Sequence, residues 1–243
     1  TVADTECVAQ VRPVAVTGNS MGWYTALHAA GALDLLGAAR LVETLRRKGI
    51  HNSDVLAAIR QVPRHRFIER GQLSQAYADH ALPIGHDQTI SQPFVVALMT
   101  EKLLACSAQH GDVLEIGTGC GYQTAVLARV FEQVYSIERI APLAALARET
   151  LSSLDITNVT LRHGDGTQGW PNRVAFDAVL VTAAAETVPQ PLLSLLAPGG
   201  CLVAPVGERW NQRLQTITRE GGHLRTVDAE GVRFVPLLTG TRC

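Results

Sequence analysis

The chain has no cysteine pair at metal-binding or redox spacing. Its five cysteines (Cys7, Cys106, Cys120, Cys201 and Cys243) are scattered and odd in number. Free thiols in a reducing cytoplasm are the simplest expectation, and no metal site is expected. Long apolar runs are also missing. None approaches the roughly 18 residues of a membrane span, and the first residues show neither a basic n-region nor an apolar h-region. A soluble, cytoplasmic protein with no membrane partner is expected. Charge of one sign is lacking too: 21 basic against 22 acidic residues leave a formal net charge of −1. That balance gives no electrostatic footprint for nucleic acid. What is present is 47% hydrophobic residues over 243 positions, enough for a full core and for one α/β domain with an appendage.

Between Val113 and Tyr122 the sequence reads V-L-E-I-G-T-G-C-G-Y, an apolar run that breaks into Gly117, Gly119 and Gly121. This reads as a strand entering a glycine turn before a helix. Glycine is needed where the backbone folds sharply and a ligand approaches to van der Waals distance. A dinucleotide fingerprint would be G-x-G-x-x-G, with glycine where this chain has Tyr122. The observed G-x-G-x-G resembles that of S-adenosylmethionine-dependent methyltransferases. Glu138 ends the next apolar run, V-Y-S-I-E, about 20 residues after the first glycine, where such folds bind ribose hydroxyls.

From about Gly111 onward, β-rich runs alternate with helical stretches, as in a mostly parallel, doubly wound sheet. Strands are expected at Val113–Ile116, Val134–Ile137, Val159–Arg162, Ala178–Thr182 and Cys201–Pro205. Helices are expected from Gly121 to Phe131 and after Pro142, which suits a first helical turn. Gln212–Arg219 and His223–Leu238, joined by Gly221-Gly222, read as an antiparallel hairpin closing one edge. Upstream, Ala39–Lys48 and Asp54–Val62 have helical periodicity, the second capped by Asn52 or Ser53 and stopped by Pro63. Residues 81–93 read as a loop leading into a helix from Pro93 to Leu104.

Five ordered segments narrow the reading: A-L-P-I-G-H-D-Q-T-I-S-Q-P (Ala81–Pro93), E-I-G-T-G-C-G-Y-Q-T-A, R-H-G-D-G (Arg162–Gly166), F-D-A-V-L-V-T-A-A (Phe176–Ala184) and R-F-V-P-L (Arg233–Leu237). Together they resemble the protein-L-isoaspartate O-methyltransferase family from about Ala39 to Leu238. The resemblance implies a Rossmann-like fold with N-terminal helices, S-adenosylmethionine as cofactor, and isoaspartyl proteins and peptides as partners. It also implies a methyltransferase domain over 39–243, with a helical cap and substrate loop over 39–110 and a catalytic sheet over 111–243. A monomer is expected. Carried over by residue, it puts the cofactor against Glu115, Gly117, Thr118, Gly119 and Gly121. Glu138 and Arg139 would hold the ribose side, and Asp165 and Gly166 the adenine. The Ser91 hydroxyl and the Thr89-Ile90 backbone would receive the acceptor carboxylate, with Ile84, Val181, Thr182, Ala183, Arg233, Phe234, Val235 and Pro236 around the peptide. Simpler readings stay open: Ser91 as a helix cap, Asp165 as a turn cap, Arg233 and Phe234 as plain strand residues, and His86 as a surface histidine.

The chemistry agrees. A carboxylate is already ionised at neutral pH, so methylating it needs positioning and limited water rather than a general base. Nitrogen methylation goes with an Asn/Asp-Pro-Pro-aromatic loop after the fourth strand, and here that segment is V-T-A-A (Val181–Ala184). Residues 1–38 are an extension outside this resemblance. Within it, Gly18–Gly22 makes a G-x-S-x-G around Ser20 in a strand-to-helix context. Over about 30 residues this is similar to the serine segment of malonyl-CoA:acyl-carrier-protein transacylases. No histidine partner is recognisable downstream, and a serine without an oriented base is weakly reactive.

Overall fold

The computed structural model describes residues 32–173 and 175–243; Cys7, Ser20 and the G-x-S-x-G segment lie outside them. Helix α1 (Ala32–Arg47) starts before the Ala39 boundary read from the sequence, and α2 (Ser53–Gln61) follows it. Asn52 caps α2, its side-chain oxygen accepting from the N–H groups of Asp54 and Val55 at 2.9 and 3.1 Å. These bonds satisfy donors that the first turn leaves unpaired. A 3-10 turn over Arg64–Phe67 comes after Pro63.

The stretch read as a loop is a small hairpin. Strands β1 (Leu82–Pro83) and β2 (Thr89–Ile90) pair antiparallel, Leu82 opposite Ile90. Between them Gly85, His86 and Asp87 all take positive φ, at 81°, 53° and 59°, which reverses the chain in a short span. Helix α3 (Pro93–Cys106) then begins with Pro93 in its first turn, where a missing N–H costs nothing. Next come β3 (Asp112–Ile116), α4 (Tyr122–Leu127), β4 (Gln133–Glu138), α5 (Ala141–Ser153) and β5 (Val159–His163). The chain ends with β6 (Phe176–Val181), α6 (Gln190–Ser194), β7 (Leu196–Glu208), β8 (Asn211–Glu220) and β9 (His223–Val232).

The main sheet has the order β5-β4-β3-β6-β7-β8-β9. Its first five strands are parallel, and β8 and β9 are antiparallel additions at one edge. This is the fold expected of a mostly parallel sheet closed by a C-terminal hairpin. Gly221 and Gly222 have φ of 54° and 99°, the left-handed pair that matches a tight hairpin to strand twist. Strand β9 stops at Val232, short of the Leu238 limit read from the sequence.

Alternation sorts the strand residues onto two faces. Val113, Val134, Ala178 and Val203 join Leu45, Ile59, Leu103 and Val126 in a core beneath the helices. Their neighbours Leu114, Ile116, Val179 and Leu202 face the opposite way, against Leu192 and Leu196. Parallel strands buried on both sides are what a doubly wound sheet requires.

The cysteine expectation needs correcting. Cys106 and Cys201 form a disulfide that joins the last turn of α3 to β7. They are 95 positions apart in sequence, but α3 lies across β7 and brings their Cα atoms to 5.7 Å, within bridging range. Cys120 and Cys243 are free. The expectation of free thiols therefore fails for Cys106 and Cys201. Among the described residues, no helix is long and apolar enough to cross a membrane.

Candidate active site

The chain runs outward from β3 through β4 to β5, then returns to β6 on the other side of β3. Ligands of such sheets bind where the order reverses, outside the carboxyl ends of the strands. There the glycine turn leaves β3, with Gly117, Gly119 and Gly121 at φ of 98°, 55° and 91°. The Gly117 N–H donates to Ile137 O at 2.8 Å. A side chain on Gly117 would collide with the Thr182 hydroxyl, which itself donates to Gly117 O at 2.7 Å. The turn is thereby clamped between the ends of β4 and β6.

A cavity of about 280 Å³ opens over this turn. Gly117, Thr118 and Gly119 form its floor, with Glu138, Arg139 and Gly166 beside them. Thr89, Ile90 and Ser91 contribute from the hairpin, and Thr182, Ala183, Val235 and Pro236 from the far side. Glu138 is 4% exposed, and its carboxylate accepts the Gly119 N–H at 2.8 Å and the Ile140 N–H at 2.9 Å. Each oxygen keeps acceptor capacity beyond these bonds, and Glu138 lines the cavity.

Ser91 does not cap α3. Gln92 is the cap residue there, and the first-turn N–H of Phe94 is taken by Asp79 Oδ1 at 2.8 Å. The hydroxyl is therefore not engaged in capping, and Ser91 lines the cavity.

Other expected site residues lie outside the wall, each for a visible reason. Gly121 packs against Ala147 and Leu151 of α5, so its missing side chain serves helix packing. Ile84 and Val181 are buried in the two cores. Asp165 accepts from the N–H and hydroxyl of Thr167 and from the Gly240 N–H, at 2.9, 2.7 and 2.7 Å. Burial acts to raise its pKa, but these bonds hold the carboxyl below its ordinary value; it caps a turn, and Gly166 alone of the pair reaches the cavity. Arg233 lies over the exposed Trp210 ring, 5.1 Å from its centroid, and Phe234 packs on the helix-side core.

Sequence reasoning missed the C-terminal contribution. Leu237, Leu238 and Arg242 line the cavity, because residues after β9 leave the sheet and lie along its top. Leu237 N–H donates to Ala184 O, and Arg242 N–H to Arg139 O, both at 2.7 Å. His86, read as a surface histidine, is exposed but borders the cavity with Asp87 and Gln88. Cys120, Tyr122 and Gln123 also line it; their position just after the glycines was the available signal.

Glu115 lies beneath the turn and is fully buried. Its Oε2 accepts from the hydroxyls of Thr124 and Ser136, each at 2.5 Å, while Oε1 has no partner. Burial pushes its pKa up to about 8, opposed by the two hydroxyls and reinforced by the charge of Glu138. It supports the turn and does not line the cavity.

A glycine cradle beside a buried carboxylate at the switch point defines a class I nucleoside-cofactor methyltransferase site. The arrangement fits S-adenosylmethionine, because Gly117 and Gly119 leave the floor of the cavity without side chains and the buried Glu138 carboxylate stands beside them. The profile of the family described as Protein-L-isoaspartate(D-aspartate) O-methyltransferase matches residues 37–242. The protein-L-isoaspartate O-methyltransferase 1 of Marinobacter nauticus is 54% identical over 201 residues, covering 83% of this chain and 91% of its own length. A Vibrio cholerae protein-L-isoaspartate O-methyltransferase is 54% identical over 203 residues, covering 84% and 96%. A Plasmodium falciparum protein-L-isoaspartate O-methyltransferase, solved with S-adenosyl-L-homocysteine, superposes with a TM-score of 0.73 at 29% identity, over 82% of this chain and 97% of its own. This chain belongs to the protein-L-isoaspartate (D-aspartate) O-methyltransferase family, and its cofactor is S-adenosylmethionine.

Glu115 makes stability depend on pH. Its folded pKa, about 8 against an ordinary 4.5, means the native state holds a proton that the unfolded state releases between those values. The stabilisation is complete below pH 4.5 and is lost as pH rises through 8. Thermal melts of the cofactor-free protein will show Glu115→Gln close to wild type at pH 5. At pH 9 it will be more stable by a few kcal/mol, at about 1.4 kcal/mol per pKa unit. A difference that does not change across this range would contradict a neutral Glu115.

Proposed function

We propose that this chain methylates the α-carboxylate of L-isoaspartyl residues in damaged proteins and peptides, and that Ser91 orients the reacting carboxylate. The observation that carries the reading is a single cavity bounded by the glycine turn and Glu138 on one side and the Thr89–Ser91 segment on the other. When bound, the sulfonium cofactor supplies an electrophilic methyl group.

The residues of the chain have three tasks. Glu138 and the Gly117–Gly119 backbone would hold the cofactor beside the hairpin segment. The Ser91 hydroxyl donates to one acceptor oxygen and leaves the other available for attack. Val235, Pro236, Leu237 and Leu238 add apolar surface that limits water. No proton needs to move, because a carboxylate with an ordinary pKa near 4 is already ionised at neutral pH. The small Ala183 and Ala184 leave room for a peptide backbone. In an isoaspartyl residue the chain continues through the side-chain carbonyl, which frees the α-carboxylate and shifts it relative to the backbone. Selection rests on that position.

Two measurements test this. With labelled S-adenosylmethionine, a peptide containing isoaspartate will be methylated and its aspartate twin will not; equal labelling of the pair would refute the substrate assignment. Ser91→Ala will lower kcat/KM by on the order of 10- to 100-fold, the effect of one charge-assisted hydrogen bond of about 1.5–3 kcal/mol. Its melting temperature and cofactor affinity will stay near wild type. A fully active Ser91→Ala would transfer the orienting role to a backbone N–H of the hairpin.

A further inference from the structure

Arg64 is a cation with no exposed surface. It follows Pro63 in the 3-10 turn after α2 and extends beneath the β1–β2 hairpin. Its Nη2 donates to Ser91 O at 2.9 Å and His80 O at 3.4 Å. The guanidinium carbon lies 4.8 Å from the centroid of the Tyr122 ring, and Tyr122 in turn meets Phe67 edge-on. One side chain thus connects the acceptor hairpin to the first residue of α4, and both Ser91 and Tyr122 line the cavity.

Among the described residues no carboxylate neutralises this charge by direct contact. Arg64 Nε and Nη1 are buried without a hydrogen-bond partner. Burial pushes the Tyr122 hydroxyl up to about 12 and the neighbouring Cys120 thiol up to about 11, so both are neutral at physiological pH. Asp79, whose charge also acts on Arg64, is otherwise engaged. It pairs with Lys48 at 2.6 Å and accepts from Gln92 Nε2 and the Phe94 N–H. Asp79 fixes the start of α3 from one side while Arg64 fixes Ser91 from below. An uncompensated buried cation is costly. An anion arriving in the adjoining cavity offsets that cost; a neutral group of the same shape does not.

We propose that Arg64 is a positioning and specificity residue: it fixes the Ser91 backbone and places an unneutralised positive charge under the acceptor pocket, which selects an ionised carboxylate over its amide or methyl ester. The inference rests on the isoaspartyl reading and adds a reason for the product to leave, since methylation removes the charge that Arg64 attracts.

The test compares two peptides, one with isoaspartate and one with the corresponding α-carboxamide, the latter measured as a competitive inhibitor. Wild type will bind the carboxylate on the order of 10- to 100-fold more tightly, the scale of one poorly screened charge nearby. Arg64→Met, similar in length but neutral, will lose most of that preference, raising KM for the isoaspartyl peptide while its dissociation constant for S-adenosyl-L-homocysteine stays near wild type. Arg64→Lys will keep the preference at a lower kcat, because the charge remains and the hydrogen bond to Ser91 O is displaced. A purely structural Arg64 would weaken both peptides equally and leave their ratio unchanged, which would overturn the proposal. If Arg64→Met fails to fold, loss of the preference in Arg64→Lys, or equal binding of the two peptides to wild type, would overturn it as well. Absence of methyl transfer from wild type to the isoaspartyl peptide would instead refute the underlying activity.

Discussion

The Glu138 carboxylate, which accepts the Gly119 N–H with one oxygen and the Ile140 N–H with the other, is the constraint around which the site is built. The first bond fixes the tip of the glycine turn, and the second fixes the approach to α5. A side chain that lines the cavity therefore also sets its floor. A buried carboxylate is tolerable only when amide donors replace its lost water, and here the donors come from the two segments that must be aligned. Glu115, beneath the same turn, carries the electrostatic consequence. Burial away from water, reinforced by the charge of Glu138, raises the Glu115 pKa to about 8, so Glu115 holds its proton.

The rest of the site is arranged around that floor. On one side, the β1–β2 hairpin brings Thr89 and Ser91 over it, held by Arg64 from below and by Asp79 at the start of α3. On the other side, the segment after β9 crosses the top of the sheet and is bonded to Ala184, Arg139 and Asp165 in turn. The first flank is fixed by buried side chains bonded to backbone, the second by bonds to the segments that leave β6, β4 and β5. Rigid strands thus position loops that carry the chemistry.

Much of this was legible in the sequence because it is local. Runs such as V-L-E-I and V-Y-S-I-E announce strands. The G-x-G-x-G spacing announces a turn with positive φ, and all three glycines have it. Asn52 as a cap and Gly221-Gly222 as a hairpin turn are equally local signals. The misreadings are non-local. Nothing near Cys106 indicates that α3 will lie on β7 and bring it to Cys201. Residues 233–238 alternate well enough to extend β9, yet bonds to Ala184 draw them off the sheet. Asp165 sits in a motif that suggests a ligand contact, while Gly240 and Thr167 take its oxygens.

Titration calorimetry with S-adenosyl-L-homocysteine, comparing wild type and Glu138→Gln, tests the central claim most directly. Glutamine keeps the length and one acceptor oxygen but replaces the other with a donor that cannot receive a backbone N–H. The account predicts that the dissociation constant rises by on the order of 10- to 100-fold, the effect of losing one or two charge-assisted hydrogen bonds, while far-UV circular dichroism stays as in wild type. Wild-type affinity in Glu138→Gln would show that the carboxylate neither shapes the turn nor receives the cofactor.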